Sequence, residues 1–477
     1  MSSCTSFRRC PTGKRFSRLV ALLLTGVLGG SLGCGAGSNC DDEVPLAEFE
    51  PQGFFETPEV RQENPRRIFV DAVPGELRRV LADAQPGDII ELAPGTHTVR
   101  SGGLSLGSSG SADRWIRVGG AEGTRPVIDL LGRTEFRISG SYILLENVEI
   151  VNGKGNNLHL APSGEDVRNI IVRNCKIWRL ARGPGAAIKL NRNNPKSAGL
   201  ERVYIEECDL SEAKKNAVVD GVGVSKVVVR GSFIHDNSQG SSGIFLKGGS
   251  SDVLIEGNLI ARIRGNSAVK LGGSTGDRFF NPEHPDQEGV KQIARNNLVV
   301  DCDDAVFEVR GCRDCRIYNN SVVSQTSFAI FRLQTGRSAG GQPSQNDDIE
   351  IVNNLVFATG GNPQFARNDG GPGGFRFRSN LWAGRLHNSS TPGPGIPRFP
   401  CRSDVVIREE DVDTVLRDST YTGVKDLADA LRRLQPPAGS PAGGAGSPNR
   451  VASKDAAGRP RPSEIPGIGA LEPRRTP

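Results

Sequence analysis

Short segments in which apolar and polar residues alternate recur along the middle of the chain. Each has eight residues rich in Val, Ile and Leu, with a small or polar pair at its centre. Nine such units are present: ILLENVEI (143–150), IIVRNCKI (170–177), VYIEECDL (203–210), VVVRGSFI (227–234), VLIEGNLI (253–260), QIARNNLV (292–299), CRIYNNSV (315–322), IEIVNNLV (349–356) and FRFRSNLW (375–382). Alternation over a short run predicts a β-strand with one buried face, and its repetition predicts a solenoid.

The central pairs of the units align into two columns. The first column is spaced by 23 to 39 residues from unit to unit, which indicates a fixed strand joined by loops of variable length. The second column is Asn258, Asn297, Asn320, Asn354 and Asn380 in the last five units. Stacked at the strand spacing of about 4.8 Å, these amides are expected to hydrogen-bond into a ladder, which is a structural role.

A second series of apolar segments follows the units, so each coil is expected to hold at least two strands. They are AAIKL (186–190), NAVVDG (216–221), SGIFLKGG (242–249), SAVKLGG (267–273), DAVFEVRG (304–311) and FAIFRL (328–333). Helical periodicity is confined to a short stretch within 73–99 and to 410–416 and 424–434. The pattern predicts an all-β, right-handed parallel β-helix with an N-terminal capping helix and a small C-terminal helical appendage.

The first 33 residues have the order of a secretory signal. Five basic residues and no acidic ones precede an apolar run at 19–32, which is too short to span a bilayer. The run ends at Ser31, Leu32, Gly33 and Cys34, similar to a bacterial lipobox with Cys34 as the lipidated residue, although Leu is more usual than Ser31. Small residues after Cys34 also suit ordinary signal cleavage. Export is predicted, either as an outer-membrane lipoprotein or as a freely secreted protein.

Changes in composition divide the chain into five segments. They are a signal peptide at 1–33, a polar tether at 34–66, the β-helix at 67–398, a helical appendage at 399–434, and a Pro- and Gly-rich tail at 435–477. The tether and residues 435–450 are expected to be mobile or loosely packed, because proline, glycine and polar residues dominate them.

The net charge and the number of cysteines limit the binding partners and the cross-links that the sequence predicts. The net charge of +5 equals the five basic residues of the predicted signal, so the rest is balanced. A balanced protein gives no reason to expect a nucleic-acid partner, and a membrane would be met only through a lipid on Cys34. Ten cysteines are too few for a disulfide scaffold. Cys312 and Cys315 form a CxxC, which fits either a disulfide in a turn or two free buried thiols.

Several motifs resemble a known family. The segment PGDIIELAPGTH (86–97), the Asn-rich strands and the terminal segments LQPPAGSPAGGAG (434–446) and DAAGRPRPSEIPGIGALE (455–472) are similar to secreted bacterial β-helix proteins of the chondroitinase B and alginate lyase group, within the pectate-lyase-like superfamily. The resemblance implies action on an extracellular, acidic polysaccharide, by a lyase that uses β-elimination or by a glycoside hydrolase. The alternative is a non-catalytic surface or carbohydrate-binding solenoid, because one fold hosts many functions.

In the resembled lyases a basic side chain removes the proton beside a uronate carboxylate, so a site needs a base and a cluster that neutralises charge. Lys247, in FLKGG, is similar to the catalytic lysine of that group. The catalytic candidates are Lys247, Lys270 and Arg310, and the substrate-binding candidates are Glu308, Arg332 and, from the long loop 272–289, Asp277 and Arg278. The alternative is that they are solvent-facing strand ends.

The resemblance points to calcium as the cofactor. The paired glutamates expected just before the catalytic lysine are replaced here by Gly240, Ser241, Ser242 and Gly243. The usual acidic ligands are therefore not matched, no cofactor is established, and the metal stays unknown.

Overall fold

The computed structural model describes residues 54–474 apart from 101, 193–198, 238–239, 325–327, 362, 371–373, 386–400, 402, 408, 417 and 419–422. The predicted signal peptide, Cys34 and the first part of the predicted tether lie outside the described residues. No described helix has the length and apolar character needed to cross a bilayer.

Three strands make up each coil, and strands of successive coils pair in parallel to form three long sheets. The first sheet contains Arg66–Val70, Asp88–Leu92, Ile116–Gly120, Ile143–Glu146, Val167–Arg173, Leu200–Glu206, Ser225–Arg230, Ser250–Glu256, Gly289–Arg295, Cys312–Tyr318, Asp347–Val352 and Phe375–Arg378. The second contains Thr96–Thr98, Val127–Asp129, Glu149–Val151, Lys176–Trp178, Asp209–Ser211, Phe233–His235, Leu259–Ala261, Leu298–Val300, Ser321–Ser324, Leu355–Ala358, Leu381–Gly384 and Val405–Ile407. The third contains Leu104–Leu106, Phe136–Ile138, Leu158–Leu160, Ile188–Asn191, Ala217–Val222, Ser242–Lys247, Val269–Gly272, Ala305–Arg310, Ala329–Gln334 and Gln364–Asn368.

Helices are short and lie outside the stack of coils. The α-helices are Glu76–Ala82 and Leu427–Arg433, and the 3-10 helices are Asp277–Phe279 and Glu409–Thr414. A small antiparallel pair joins Gly336–Arg337 to Pro343–Ser344.

Each of the nine units spans two strands and the corner between them. In the first unit, Ile143–Glu146 belongs to the first sheet, Glu149–Val151 belongs to the second, and Asn147 between them has φ 54°. All nine residues aligned at this position have φ between 48° and 63°. Asparagine and glycine occupy this left-handed region at low cost, which explains why they dominate the column. The interpretation of each unit as one strand was therefore wrong.

Two further left-handed residues flank this corner at a constant spacing. Asn169, five residues earlier, bends the strand Val167–Arg173, and Arg179, five residues later, follows the strand Lys176–Trp178. The same spacing holds in all six coils from Tyr142 to Asp301. The variation in coil length therefore lies after the third left-handed residue, in the strands of the third sheet and the loops around them.

Aliphatic side chains fill the interior of the earlier coils, aromatic ones such as Phe331 and Trp382 occupy the last coils, and the predicted amide ladder is confirmed. The side-chain nitrogen of Asn258 donates to Asn297 at 3.0 Å, Asn297 to Asn320 at 2.9 Å, Asn320 to Asn354 at 2.9 Å, and Asn354 to Asn380 at 3.1 Å. All five are buried, so the ladder satisfies polar groups that would otherwise be stranded in the core.

The predicted capping helix is confirmed as Glu76–Ala82. Its Leu77, Val80 and Leu81 are buried in the main core, where they close its first coil. At the other end, the predicted helical appendage contains Leu427–Arg433, whose first turn is capped by a hydrogen bond from Asp429 N to Asp426 Oδ1 at 2.7 Å. Val405–Ile407 pairs with Leu381–Gly384, so the second sheet continues past residue 398.

The tail is closely packed, and the expectation that residues 435–450 are loose was wrong. The asparagines at the corners bind its backbone: Asn353 Nδ2 donates to Arg450 O at 2.7 Å, and Asn296 Nδ2 donates to Lys454 O at 2.8 Å. Small residues let the tail approach closely, and Ala442 is completely buried. The amides supply the hydrogen bonds that a segment without regular structure lacks.

The described end of the predicted tether is also packed rather than mobile. The hydroxyl of Tyr204 donates to Phe54 O at 2.9 Å, and Phe55 and Val60 lie against an apolar stripe on the outer face of the first sheet. Apolar side chains in this segment override its polar composition.

Cys312 and Cys315 are free and buried on the strand Cys312–Tyr318. The alternative of two free buried thiols therefore holds. Burial raises the pKa of Cys312, which suits an inert core thiol.

Candidate functional site

The outer faces of the three sheets differ in what covers them. An apolar stripe on the first sheet packs with Phe55, Val60 and Ala452. The second sheet packs from Phe233 onward with the appendage and tail. Among the described residues, no comparable apolar cluster covers the outer face of the third sheet. Its outward side chains are polar or charged instead, and some of them, such as Asp220 and Glu308, are buried.

Outward side chains of the third sheet form one column along the axis of the solenoid. Strand pairing brings the following residues into register, one per coil: Arg137, His159, Lys189, Asp220, Phe245, Lys270, Glu308, Arg332 and Arg367. Successive members lie about 4.8 Å apart, which is the spacing of neighbouring strands. Among the candidates, Lys270, Glu308 and Arg332 are thus brought together.

Most cations of this column are held by carboxylates. Lys189 Nζ lies 2.7 Å from Asp220 Oδ2, Lys270 Nζ lies 3.0 Å from Glu308 Oε2, and Arg332 Nε lies 2.9 Å from an oxygen of Asp369. In each of these pairs a carboxylate neutralises the positive charge of one lysine or arginine.

Lys247 is the exception among the lysines of the face. It is half-buried, forms no ion pair with a described residue, and has Nζ 4.1 Å from the centre of the Phe245 ring. Lys270 Nζ lies 5.2 Å from the same centre, so the ring brings the two candidate lysines together. Burial lowers the pKa of Lys247, Asp220 opposes this, and Lys189 and Lys270 add to it. A lowered pKa increases the fraction of neutral amine, the form that accepts a proton.

Arg310 lies in line with Lys247, two coils away. Gly272 is in register with Arg310 and occupies the coil between the two candidates. A Cβ on Gly272, whose φ is 73°, would lie against the carbonyl of Arg310. The strand positions of Lys247 and Arg310 are therefore about 10 Å apart, which is two strand spacings. Arg310 Nε donates to Thr335 O at 3.1 Å, which fixes one edge of the guanidinium.

Glu288, which sequence reasoning did not single out, holds the turn after Lys247. Its carboxylate accepts hydrogen bonds from Gly248 N at 2.8 Å and from the hydroxyl of Thr275 at 2.7 Å. Burial raises the pKa of Glu288, against the effect of these hydrogen bonds. The residue positions the strand end that carries Lys247.

Asp277 and Arg278 are not brought to Lys270. Both are exposed in the 3-10 helix Asp277–Phe279, and their loop folds back over an earlier turn, where Asn281 N donates to Gly248 O at 2.8 Å. The long loop therefore borders the coil of Lys247 and leaves both side chains in solvent.

His159 is a further polar centre of this face. Its Nδ1 lies 2.6 Å from Glu135 and its Nε2 lies 2.5 Å from Asn191 Oδ1, while Asn191 Nδ2 donates to Arg192 O at 3.0 Å. Both ring nitrogens thus face oxygen acceptors. The strand Leu158–Leu160 is too short for a periodic pattern, and only alignment of the third-sheet strands on Lys270 could have revealed this column.

Within the described part of the chain, no three His, Cys, Asp or Glu side chains group in a way that suits a metal ion.

Comparisons with known proteins agree with this architecture. Residues 163–368 match a family described as right handed beta helix region. The crystal structure of pectate lyase Pel9A is similar with a TM-score of 0.54 and 16% identity, over 86% of this chain and 97% of the other. The protein is a right-handed parallel β-helix.

Other β-helices are similar at lower scores. An alginate lyase from Paenibacillus sp. str. FPU-7 gives a TM-score of 0.42 and 14% identity, over 67% of this chain and 99% of the other. The surface adhesin PfbA of Streptococcus pneumoniae gives 0.42 and 12%, over 65% and 85%. No curated protein sequence matches this β-helix.

Proposed function

We propose that this β-helix binds an acidic, uronate-containing polysaccharide on the outer face of the third sheet and cleaves it by β-elimination, with Lys247 as the base. The observation that carries the proposal is the environment of Lys247. It is a half-buried lysine of lowered pKa that forms no ion pair with a described residue, whereas Lys189, two coils before it, and Lys270, one coil after it, are paired with carboxylates.

The reaction needs a neutral amine at the proton that is removed. Lys247 Nζ takes the proton from the carbon beside the uronate carboxylate, and the electron pair left on that carbon forms a carbon–carbon double bond. The glycosidic carbon–oxygen bond on the neighbouring carbon breaks, and the departing sugar oxygen takes up a proton. The products are an unsaturated uronate and a new reducing end.

The carboxylate of the substrate must be neutralised for this proton to become acidic. Arg310 lies in line with Lys247, two coils away, and its guanidinium presents donors that match a carboxylate. Lys270 lies beside the same Phe245 ring, but its charge is already paired with Glu308. A pectate lyase shares the fold, and the proposal extends its substrate class, an acidic polysaccharide, to this protein.

A polymer screen tests the proposal. The mature protein is incubated with pectate, alginate and chondroitin and dermatan sulfates, with and without calcium, while absorbance of unsaturated uronates and reducing ends are followed separately. Growth of both signals is expected on at least one polymer. Lys247→Ala should abolish both without lowering the melting temperature, whereas Lys425→Ala, on the exposed appendage, should leave them unchanged.

Other outcomes contradict parts of the proposal. Reducing ends without unsaturated products indicate hydrolysis, and full activity in Lys247→Ala removes that residue from the site. Binding without cleavage of any polymer supports a non-catalytic carbohydrate-binding solenoid. One observation favours that second candidate: Lys189, Lys270 and Arg332 are each already engaged by a carboxylate.

We also propose that the chain is exported, on the strength of the basic and apolar order of residues 1–33. Mass spectrometry of the mature amino terminus tests this. A diacylglyceryl group on Cys34 indicates a lipoprotein of the cell envelope, and a free terminus within the next few residues indicates secretion. Recovery of the protein in the cytoplasmic fraction with Met1 intact contradicts the proposal.

A further inference from the structure

Unpaired basic side chains lie on the loops that join the second sheet to the third in four consecutive coils. The loops 131–135, 152–157, 179–187 and 212–216 contain six basic residues and two acidic ones. We call the six basic residues the basic rim: Arg133, Lys154, Arg179, Arg182, Lys214 and Lys215. None of them forms an ion pair with a described residue, unlike the lysines of the adjoining third-sheet column, and five of the six are exposed.

Contacts between the loops show that the rim is continuous. Lys154 N donates to Thr134 O at 2.8 Å, and Gly155 N donates to Arg182 O at 2.8 Å. Lys214 Nζ donates to the backbone oxygen of Ala181 at 3.2 Å. The four loops therefore stack in coil order, and their charges follow one edge of the third sheet.

Little acidic charge offsets the rim. Of the two acidic residues on these loops, Glu135 is engaged by His159 at 2.6 Å and by Asn156 at 2.8 Å. Glu212 is exposed and forms no ion pair with a described residue. Like charges held at the coil spacing of about 4.8 Å repel one another, so the surface gains when an anionic polymer neutralises it.

An aromatic ring adjoins the rim. Trp178 is half-buried on the outer face of the second sheet, and its Nε1 donates to Glu149 at 2.6 Å. Lys176 Nζ and the guanidinium of Arg179 lie 4.9 and 4.6 Å from the ring centre. This hydrogen bond and the two cations fix the indole beside the row of charges.

We propose that the basic rim is a second binding site, for an anionic polysaccharide chain, that works independently of Lys247. The row follows the solenoid axis over four coils, about 14 Å, and a linear arrangement of cations matches a linear polymer. Because the rim lies along the border of the third sheet, one polysaccharide chain can contact both the rim and the outer face of that sheet. The site serves to hold the polymer whether or not the protein cleaves it.

Binding measurements on a Lys247→Ala background test the rim without interference from cleavage. Arg182→Gln, Lys214→Gln and Lys215→Gln are combined in one variant. The matched control combines Lys425→Gln, Lys454→Gln and Arg474→Gln, three exposed residues of the appendage and tail, and loses the same charge. Titration calorimetry follows polygalacturonate and chondroitin sulfate at low and physiological ionic strength.

The rim variant should bind at least about tenfold more weakly than its parent at low ionic strength and show a shallower salt dependence. The control should stay within about twofold of the parent, and both should keep the parent melting temperature. Equal affinity of the rim variant and the control overturns the proposal. Tighter binding of the parent to anionic vesicles or duplex DNA than to either polysaccharide overturns the choice of ligand.

Discussion

At the scale of single residues, the protonation of Lys247 depends on its neighbours on the third sheet. Burial lowers its pKa, Asp220 and Glu288 raise it, and Lys189 and Lys270 lower it. Asp220 therefore acts twice, because it also neutralises Lys189 at 2.7 Å. Its removal takes away one anion and unmasks one cation.

Asp220→Asn should for both reasons lower the pKa of Lys247 further. If Lys247 is the base of an elimination, the acid limb of kcat/KM then moves to lower pH, since the amine becomes neutral sooner. The measurement is a pH profile of the parent and the variant on the polymer that the screen identifies. A limb that moves to higher pH, or does not move, contradicts this account of Lys247.

A second prediction for single residues concerns the asparagine ladder. The amide of Asn297 donates to the backbone oxygen of Ile255 and to Asn320, both at 2.9 Å, in a buried site. Asn297→Ala strands these acceptors and should cost about 1–3 kcal/mol of unfolding free energy. Asn297→Ser should cost less, because Ser232 occupies the same column and still hydrogen-bonds its neighbours. Urea unfolding of the parent and the two variants measures these differences. Equal unfolding free energies would show that the side-chain hydrogen bonds of Asn297 do not stabilise the fold.

At the scale of elements, the sequence was enough to predict the coils but not their corners. The alternation of eight-residue units predicted stacked strands and the ladder from Asn258 onward. It did not show that each unit contains a corner. A left-handed residue such as Asn147 changes the direction of the backbone without changing the alternation of apolar and polar residues. Three-residue strands such as Leu158–Leu160 carry too few positions for any periodic signal.

The candidate site was predictable only in part, for a similar reason. Lys247 and Lys270 stand in recognisable strands, and the structure brings both to one aromatic ring. Glu288 lies at the end of a long loop, and its contact with Gly248 joins residues 40 positions apart. The basic rim is assembled from four loops, so it has no local sequence pattern.

The junction between the second sheet and the appendage contains a chain of charged groups. His235 lies 3.0 Å from Asp209 and 2.7 Å from Asp236, and Arg262 joins Asp236 to the backbone oxygen of Val424 on the appendage at 2.9 Å. Burial lowers the pKa of His235, but the two carboxylates outweigh it and the net shift is upward.

A raised pKa gives this junction a definite pH dependence. Protonated His235 stabilises the folded state fully below its unfolded pKa of about 6.5, and the contribution is lost as pH rises through the folded value. His235→Gln should therefore lower the melting temperature more at pH values below 6 than at values above 8. Melting scans of the parent and the variant across that range check this.

His284 supplies a control of opposite sign. Burial lowers its pKa, so protonation at low pH destabilises the folded state. His284→Gln should raise the melting temperature relative to the parent in acid and change it little at high pH. The same pH trend in both variants would contradict the assignment of the effect to His235.

At the scale of the whole molecule, the chain ends act as covers for two of the three faces. The tail places Ile468, Ala470 and Leu471 on the outer face of the second sheet, against Leu355 and its neighbours. Among the described residues, the outer face of the third sheet has no such apolar cover. The covers therefore help to define where a ligand can bind.

Two isoleucines of the tail provide a matched test of this cover. Ile468 is completely buried, whereas Ile465, three residues earlier, is 66% exposed. Ile468→Asp buries an unpaired carboxylate, and it should cost several kcal/mol or detach the tail. Ile465→Asp should change stability by less than about 0.5 kcal/mol. Limited proteolysis and melting scans compare the two, and equal resistance would mean that the tail contributes no cover.

The constant spacing of the three left-handed residues has a consequence for how such a chain can change. The eleven residues from Asn169 to Arg179, and their equivalents, form a part of each coil that has a fixed length, while the length of the stretch that follows varies. Insertions and deletions in the loops of that stretch alter the border of the third sheet and leave the constant part of each coil unchanged. A whole coil can therefore be inserted or removed as a unit. An added coil would lengthen the third sheet by about 4.8 Å and leave the other coils in place.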